Sequence, residues 1–192
     1  MGPERLQAFS DGVIAIIITI MVLEMKVPHS ADLSSLKPVI PIFMSYILSF
    51  IYVGIYWNNH HHMMHTIHHV NGRVLWANTH LLFWLSLIPF ASGWMGENHF
   101  AKWPVVVYGV VVCMAGIAYY FLSQSLLKLH GKDSRLGLAI GNDRKGITSV
   151  IIYVMGIGLC FIHPWLGVLL YSLVAAMWFI PDGRIEKKMK TG

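Results

Sequence analysis

The chain has 192 residues, 56% of them apolar and only 12% charged, with a formal net charge of +5. Soluble domains carry about 25% charged residues, so roughly half the usual charge is missing and a water-facing surface cannot be built. The composition excludes an ordinary soluble domain, a disordered chain and a DNA-binding module, and leaves an integral membrane protein.

A membrane-crossing helix needs roughly 20 apolar residues, so six spans use about 120 and leave no room for a separate catalytic domain. Apolar segments fall at about 6–27, 38–58, 74–95, 103–127, 146–163 and 164–181. The first is too long for a cleaved signal peptide and contains Asp11. Four breaks separate the spans: Val27–Lys37, the histidine-rich His60–Arg73, Gly96–Lys102 and Lys128–Lys145. The fifth is tight, because His163-Pro164 interrupts one long apolar run and proline suits a helix-to-helix turn. Pro38 and Pro41 fit the first turn of span two, and Pro89 should bend span three. Lipid offers no partner to unpaired backbone groups, so the fold class is all-α, a single polytopic domain over 1–192. Cys113 and Cys160 lie inside apolar runs and read as small buried residues without disulfide or metal.

Basic residues set the orientation. Arg5, Arg73, Lys128, Lys132, Arg135, Arg144, Lys145, Arg184, Lys187, Lys188 and Lys190 fall on one side, and Lys26, Lys37 and Lys102 on the other. Both termini are therefore expected in the cytoplasm, with an even number of spans. The basic tail suits anionic inner-leaflet lipid rather than nucleic acid. Gly109, Gly116, Gly156 and Gly158 favour close helix approach in ordinary bundle packing.

The first span carries the sharpest signal. Arg5 and Asp11 bracket its inner end, where charge at membrane depth is costly and faces protein or water. Six residues at about 100° each place them on different faces, so each should find its partner on another helix or subunit. His60, His61 and Asn78 are the candidates for Asp11 at that depth. Further along, Ile16, Ile20 and Leu23 form one i, i+4, i+7 stripe with Thr19 beside it. By composition alone such a stripe is packing or lipid contact. Glu24 follows Leu23 near the outer end, either as a cation-concentrating ring or as an interfacial carboxylate near Lys26.

Six of the eleven histidines sit between His60 and His69. His61 and His65 have the i, i+4 spacing that lets two imidazoles share a metal. His65-x-x-His68-His69 also looks like one box of a membrane di-iron enzyme, but such enzymes need several boxes and no carboxylate lies in this cluster. No cofactor and no resident metal is expected. A middle reading is pH sensing at the inner mouth. It predicts a current that falls as cytoplasmic pH drops from about 7.5 to 5.5.

The text Arg5-x-x-x-Phe9-Ser10-Asp11 resembles the signature of the transmembrane protein 175 family, the potassium channels of endosomes and lysosomes and their bacterial homologues. Trp57 followed by His60-His61, Leu75-Trp76 with Asn78, and Pro89-Phe90 also fit. The signature occurs once, so the chain resembles the bacterial single-unit type. The resemblance implies a homotetramer in the bacterial inner membrane, its first helix lining a central pore, with potassium as the permeant ion. Carried over by position, Ile16 forms the hydrophobic constriction, Ile20 and Leu23 further rings, and Thr19 a hydroxyl ring. Arg5, Phe9, Ser10 and Asp11 tie helices together at the inner mouth, joined by His60, His61 and Asn78.

No Thr-Val-Gly-Tyr-Gly loop is present, so no carbonyl filter replaces a hydration shell and potassium selectivity should be modest. The rival is a proton-coupled or other secondary transporter, which would usually show an inverted repeat and a mid-membrane charge. A histidine-metal enzyme and a membrane protein without transport are further alternatives.

Overall fold

The computed structural model describes residues 2–131, 134, 136–137 and 144–179, and all regular structure within them is helical. Helix α1 (Pro3–Leu23) opens on a proline, which at the first helical position loses no useful donor, and on Glu4, which suits the positive helix end. A 3-10 segment, Leu33–Val39, leads into α2 (Ile40–His65). Pro38 belongs to that segment and Pro41 to the first turn of α2, so the two prolines are divided between elements rather than sharing one turn.

α2 runs well past residue 58. His60, His61, His62 and His65 are helical, not part of a break, because nothing from Asn58 to His65 is a proline or glycine that would stop the ladder. The chain then caps α3 (Gly72–Ser86) with Asn71, whose Oδ1 accepts the Val74 N–H at 3.0 Å. Near Pro89 the helix is divided by a single residue: α3 ends at Ser86 and α4 spans Ile88–Glu97, with Leu87 between them in helical backbone. Pro89 has no N–H for the Leu85 carbonyl and crowds it, and Leu87 N–H turns to Trp84 O at 3.3 Å instead.

Between α4 and α5 (Lys102–His130), His99 and Phe100 take φ of 50° and 58°. This left-handed backbone is uncommon for residues with a Cβ. Burial of Phe100 holds it, with its ring stacked 4.8 Å from Trp165. α6 (Arg144–Leu159) and α7 (Pro164–Phe179) meet at the His163-Pro164 turn. Lys132, Arg135, Arg184, Lys187, Lys188, Lys190 and the Arg144 side chain lie outside the described residues.

Four stretches are long and apolar enough to cross a membrane: Pro3–Leu23, Leu33–His65, Gly72–Glu97 and Lys102–His130. Lys145–Leu159 and Pro164–Phe179 are shorter apolar helices. α1 packs on α2, α3 and α4, while α6 and α7 pair with each other and lean on α5. Hydroxyls join the helices where hydrocarbon would leave them unsatisfied. Ser49 Oγ lies 2.8 Å from Ser92 Oγ and 3.1 Å from the Tyr108 hydroxyl, and Tyr52 donates to the Tyr171 carbonyl at 2.6 Å. Cys113 and Cys160 are buried free thiols.

Two of the four glycines expected at close approaches are such contacts: a Cβ on Gly109 or Gly156 would strike the Tyr171 side chain. Gly116 has ordinary contacts and Gly158 faces open space. The tightest backbone approach is at Gly96, where an added Cβ would stand 2.6 Å from Ile42 Cα. Backbone cannot swing aside as a side chain can. Gly96→Ala is therefore expected to lose about 1–3 kcal/mol by overpacking, read as a lowered Tm in detergent, and an unchanged Tm would show that α2 and α4 separate freely.

Candidate pore helix and its inner anchor

The buried residues of α1 are Leu6, Ser10, Ile14, Ile17 and Met21, which share one face at helical spacing. The other side is open. Ile16 is 58% exposed while its neighbour Ile17 is 4% exposed. Phe9, Ile20 and Leu23 are exposed with Ile16, as are Arg5 and Thr19. An aliphatic row on the outer side of a helix whose inner side is fully packed is free to meet lipid, water or another chain. The Thr19 hydroxyl donates to Ile16 O at 2.9 Å, which leaves its oxygen lone pairs available to a cation.

A groove of about 470 Å3 runs between α1 and α4, with Ile16, Ile20, Phe90 and Trp94 along it and Glu24 and Glu97 at the end nearer the α1 C-terminus. The Glu24 carboxylate lies against Gly93, 3.1 Å from where a Cβ would stand. Lys26 pairs with Glu97, not with Glu24, at 3.0 Å. The Glu97 hydrogen bond and charge hold Lys26 above its ordinary pKa. The ammonium therefore persists through neutral pH and is lost as pH rises past that raised value.

The N-terminal half of α1 is held by three separate contacts. The first is a fully buried chain of hydrogen bonds. His60 Nε2 lies 2.8 Å from Asn78 Oδ1, Asn78 Nδ2 donates to Ser10 Oγ at 2.9 Å, and Ser10 Oγ donates to Leu6 O at 2.8 Å. Because the Asn78 amide nitrogen faces Ser10, its oxygen faces His60, which assigns the imidazole proton to Nε2. His60 Nδ1 is then a bare lone pair, buried without a partner. The second contact joins Gln7 Nε2 to His61 Nδ1 at 3.0 Å. In the third, Trp57 Nε1 donates to Asp11 Oδ1 at 3.0 Å.

The structure thus brings Ser10, His60 and Asn78 together but gives Asp11 a different partner from those the sequence suggested. Ser10 and Asp11 sit about 100° apart on the helix, so Ser10 faces α3 and Asp11 faces α2. Trp57 stands among the motif residues in the sequence but not among the candidates for Asp11, because an indole N–H leaves no mark in a charge pattern. The available signal was its place one turn before His60–His61. Trp57→Phe should reproduce Asp11→Asn, each lowering the yield of assembled protein on size exclusion; normal assembly of both would remove this contact from the anchor. Arg5 and Phe9 are exposed, and Arg5 has no ion-pair partner among the described residues.

His61 meets two other histidine rings, with His62 5.9 Å away between centroids. His61 and His65 stand 4.4 Å apart between centroids, and His69 stands 4.7 Å from His130. Among the described residues no three His, Cys, Asp or Glu side chains come together as a metal set.

An apolar helical bundle with several helices long enough to cross a bilayer, joined by buried hydroxyl and amide contacts, has the architecture of a polytopic membrane protein. A family model described as "Endosomal/lysosomal potassium channel TMEM175" matches residues 5–89. A potassium channel of Chryseobacterium sp. (strain P1-3) is 54% identical over 190 residues, 99% of each chain. A potassium channel of Streptomyces collinus is 25% identical over 89% of this chain and 88% of its own. The crystal structure of a lysosomal potassium-selective channel TMEM175 homolog from Chamaesiphon minutus superposes with a TM-score of 0.77 at 25% identity, covering 92% of this chain and 95% of that one. The chain belongs to the TMEM175 family, a family of ion channels and not of enzymes.

Proposed function

We propose that the chain is a potassium-permeable, modestly selective cation channel, assembled as a homotetramer of six-span subunits in a bacterial inner membrane with both termini cytoplasmic. α1 lines the pore. Four copies of Ile16 form the constriction, Ile20 and Leu23 form wider rings towards the outside, and Thr19 offers hydroxyl oxygens to a partly dehydrated ion. A ring of isoleucines offers an ion nothing to coordinate, so it gates by dewetting and passes ions when slightly dilated. Sodium holds its water more strongly than potassium and suffers more at such a neck. Glu24 adds negative charge at the outer mouth. Ser10, Asp11, His60, His61 and Asn78 hold the inner end of each pore helix, while Arg5 and Phe9 face the neighbouring copy. The groove between α1 and α4 receives that neighbour.

The observation that carries this reading is the outward row of Ile16, Ile20 and Leu23 on a helix whose other face is packed. Purified protein in liposomes should pass potassium without an energy source, faster than sodium. Absence of passive flux, or uptake only with a proton gradient, would overturn it in favour of a carrier.

A further inference from the structure

The final turn of α2 carries two imidazoles set for a shared metal ion. His61 and His65 are one helical turn apart, so their side chains leave the same face of a rigid element. Their ring centroids stand 4.4 Å apart with the ring planes at 74°. A metal lies about 2.0–2.1 Å from each ligating nitrogen, hence about 3 Å from each ring centre, which sets two sharing rings about 4.5–5 Å apart. The pair therefore needs only a small turn about its side-chain torsions to close on an ion. His65 is exposed and His61 half-buried, so solvent reaches the pair.

Another helix orients His61. Gln7 on α1 places its amide 3.0 Å from His61 Nδ1. Trp57, one turn earlier on α2, lies against the same ring at 5.6 Å between centroids. A half-turn of the Gln7 amide exchanges its nitrogen for its oxygen. The oxygen then accepts Nδ1–H, and Nε2 is left as a bare lone pair. Metal-binding histidines are held in this way, by an oxygen on the second ring nitrogen. The charge around the pair suits a cation. Asp11 is one turn beyond Gln7 on α1 and is held by the Trp57 indole at 3.0 Å. The unpaired carbonyls of the α2 end add negative potential. α2 carries no lysine or arginine, and Arg5 on α1 stands about 200° around the helix from Gln7. No third His, Cys, Asp or Glu among the described residues completes the set, so water takes the remaining positions.

We infer that His61 and His65 bind one exchangeable first-row divalent metal ion of the zinc class through a ring nitrogen of each, with Gln7 as a positioning residue. Imidazole suits zinc, nickel and copper, whereas magnesium and calcium take oxygen ligands. The bound ion fixes His61 between Trp57 and Gln7 and so fastens α1 to α2.

The test is calorimetric titration of the purified full chain in detergent with zinc, repeated with magnesium. Zinc should fill one site per chain more tightly than any other histidine, and magnesium should not bind there. His65→Ala removes an exposed ring and should weaken that site at least about tenfold, since loss of an outer partner alone costs about 10–100-fold. Gln7→Leu should weaken it about tenfold, while Gln7→Glu keeps an oxygen for Nδ1 and should retain it. His62→Ala, about 100° around the helix from His61, should bind as wild type. Copper in place of zinc adds a spectroscopic reading. Its electron paramagnetic resonance should show two nitrogen ligands in wild type and one in His65→Ala. Wild-type affinity in His65→Ala or in Gln7→Leu would overturn the site. Small, equal losses from every histidine variant would overturn it too, as an adventitious ion only. None of these readings depends on whether the chain conducts.

Discussion

Ile16→Asn is expected to raise potassium conductance severalfold and to bring the potassium-to-sodium flux ratio towards one. Four carboxamides in place of four sec-butyl groups would keep the neck wet and offer oxygen to either ion, which removes both the dewetting barrier and the extra penalty on sodium. The adjacent residue supplies the control. Ile17 faces the packed side of α1 and is 4% exposed, so Ile17→Asn should bury an unpartnered amide and reduce folded protein without altering selectivity. Single-channel recording of the two variants separates the faces. Wild-type conductance in Ile16→Asn would remove Ile16 from the constriction.

The second large effect is expected at Asn78, which supplies both middle hydrogen bonds of the buried inner chain. Asn78→Ala would orphan His60 Nε2 and strip Ser10 Oγ of its donor, while leaving the Ser10 bond to Leu6 O in place. At about 1–3 kcal/mol for each of the two groups left unsatisfied, the loss should be about 2–6 kcal/mol, with Tm falling about 2–4 °C for each kcal/mol in a chain of this size. His60→Gln can still present an amide N–H to Asn78 Oδ1 and should lose markedly less. Thermal unfolding in detergent reads both. Equal Tm values for wild type and Asn78→Ala would show that the chain contributes nothing to stability.

Periodicity made α1 legible. A residue at Ile16 repeats on the same face at Ile20 and Leu23, and the structure leaves that face open. What periodicity alone could not decide was whether an open aliphatic row meets lipid or a pore, because both are apolar environments. The resemblance in Arg5, Phe9, Ser10 and Asp11 is what favours the pore reading proposed above. The partner of Asp11 was not legible, since charge and depth pointed to histidines and the donor is the neutral indole of Trp57. His60 and His61 look equivalent in sequence, yet a rotation of about 100° sends one to Asn78 on α3 and the other to Gln7 on α1. The extension of α2 to His65 was hidden by polarity, which marks where a membrane ends but not where a helix does. The break at Leu87 was visible as Pro89, though a proline alone does not tell a bend from a division.

That division has a mechanical consequence. The N-terminal half of α1 is tied through Ser10 to Asn78 on α3, and its C-terminal end lies through Glu24 against Gly93 on α4. The two attachments sit on opposite sides of the α3–α4 break, so α1 spans a joint as a strut spans a hinge. Rotation at Leu87 would swing Glu24 relative to Ser10 and change the tilt of α1, while Gly96 against Ile42 makes α4 carry α2 with it. A tilt of a few degrees displaces Leu23 more than Ile16, because Ile16 stands nearer the fixed end.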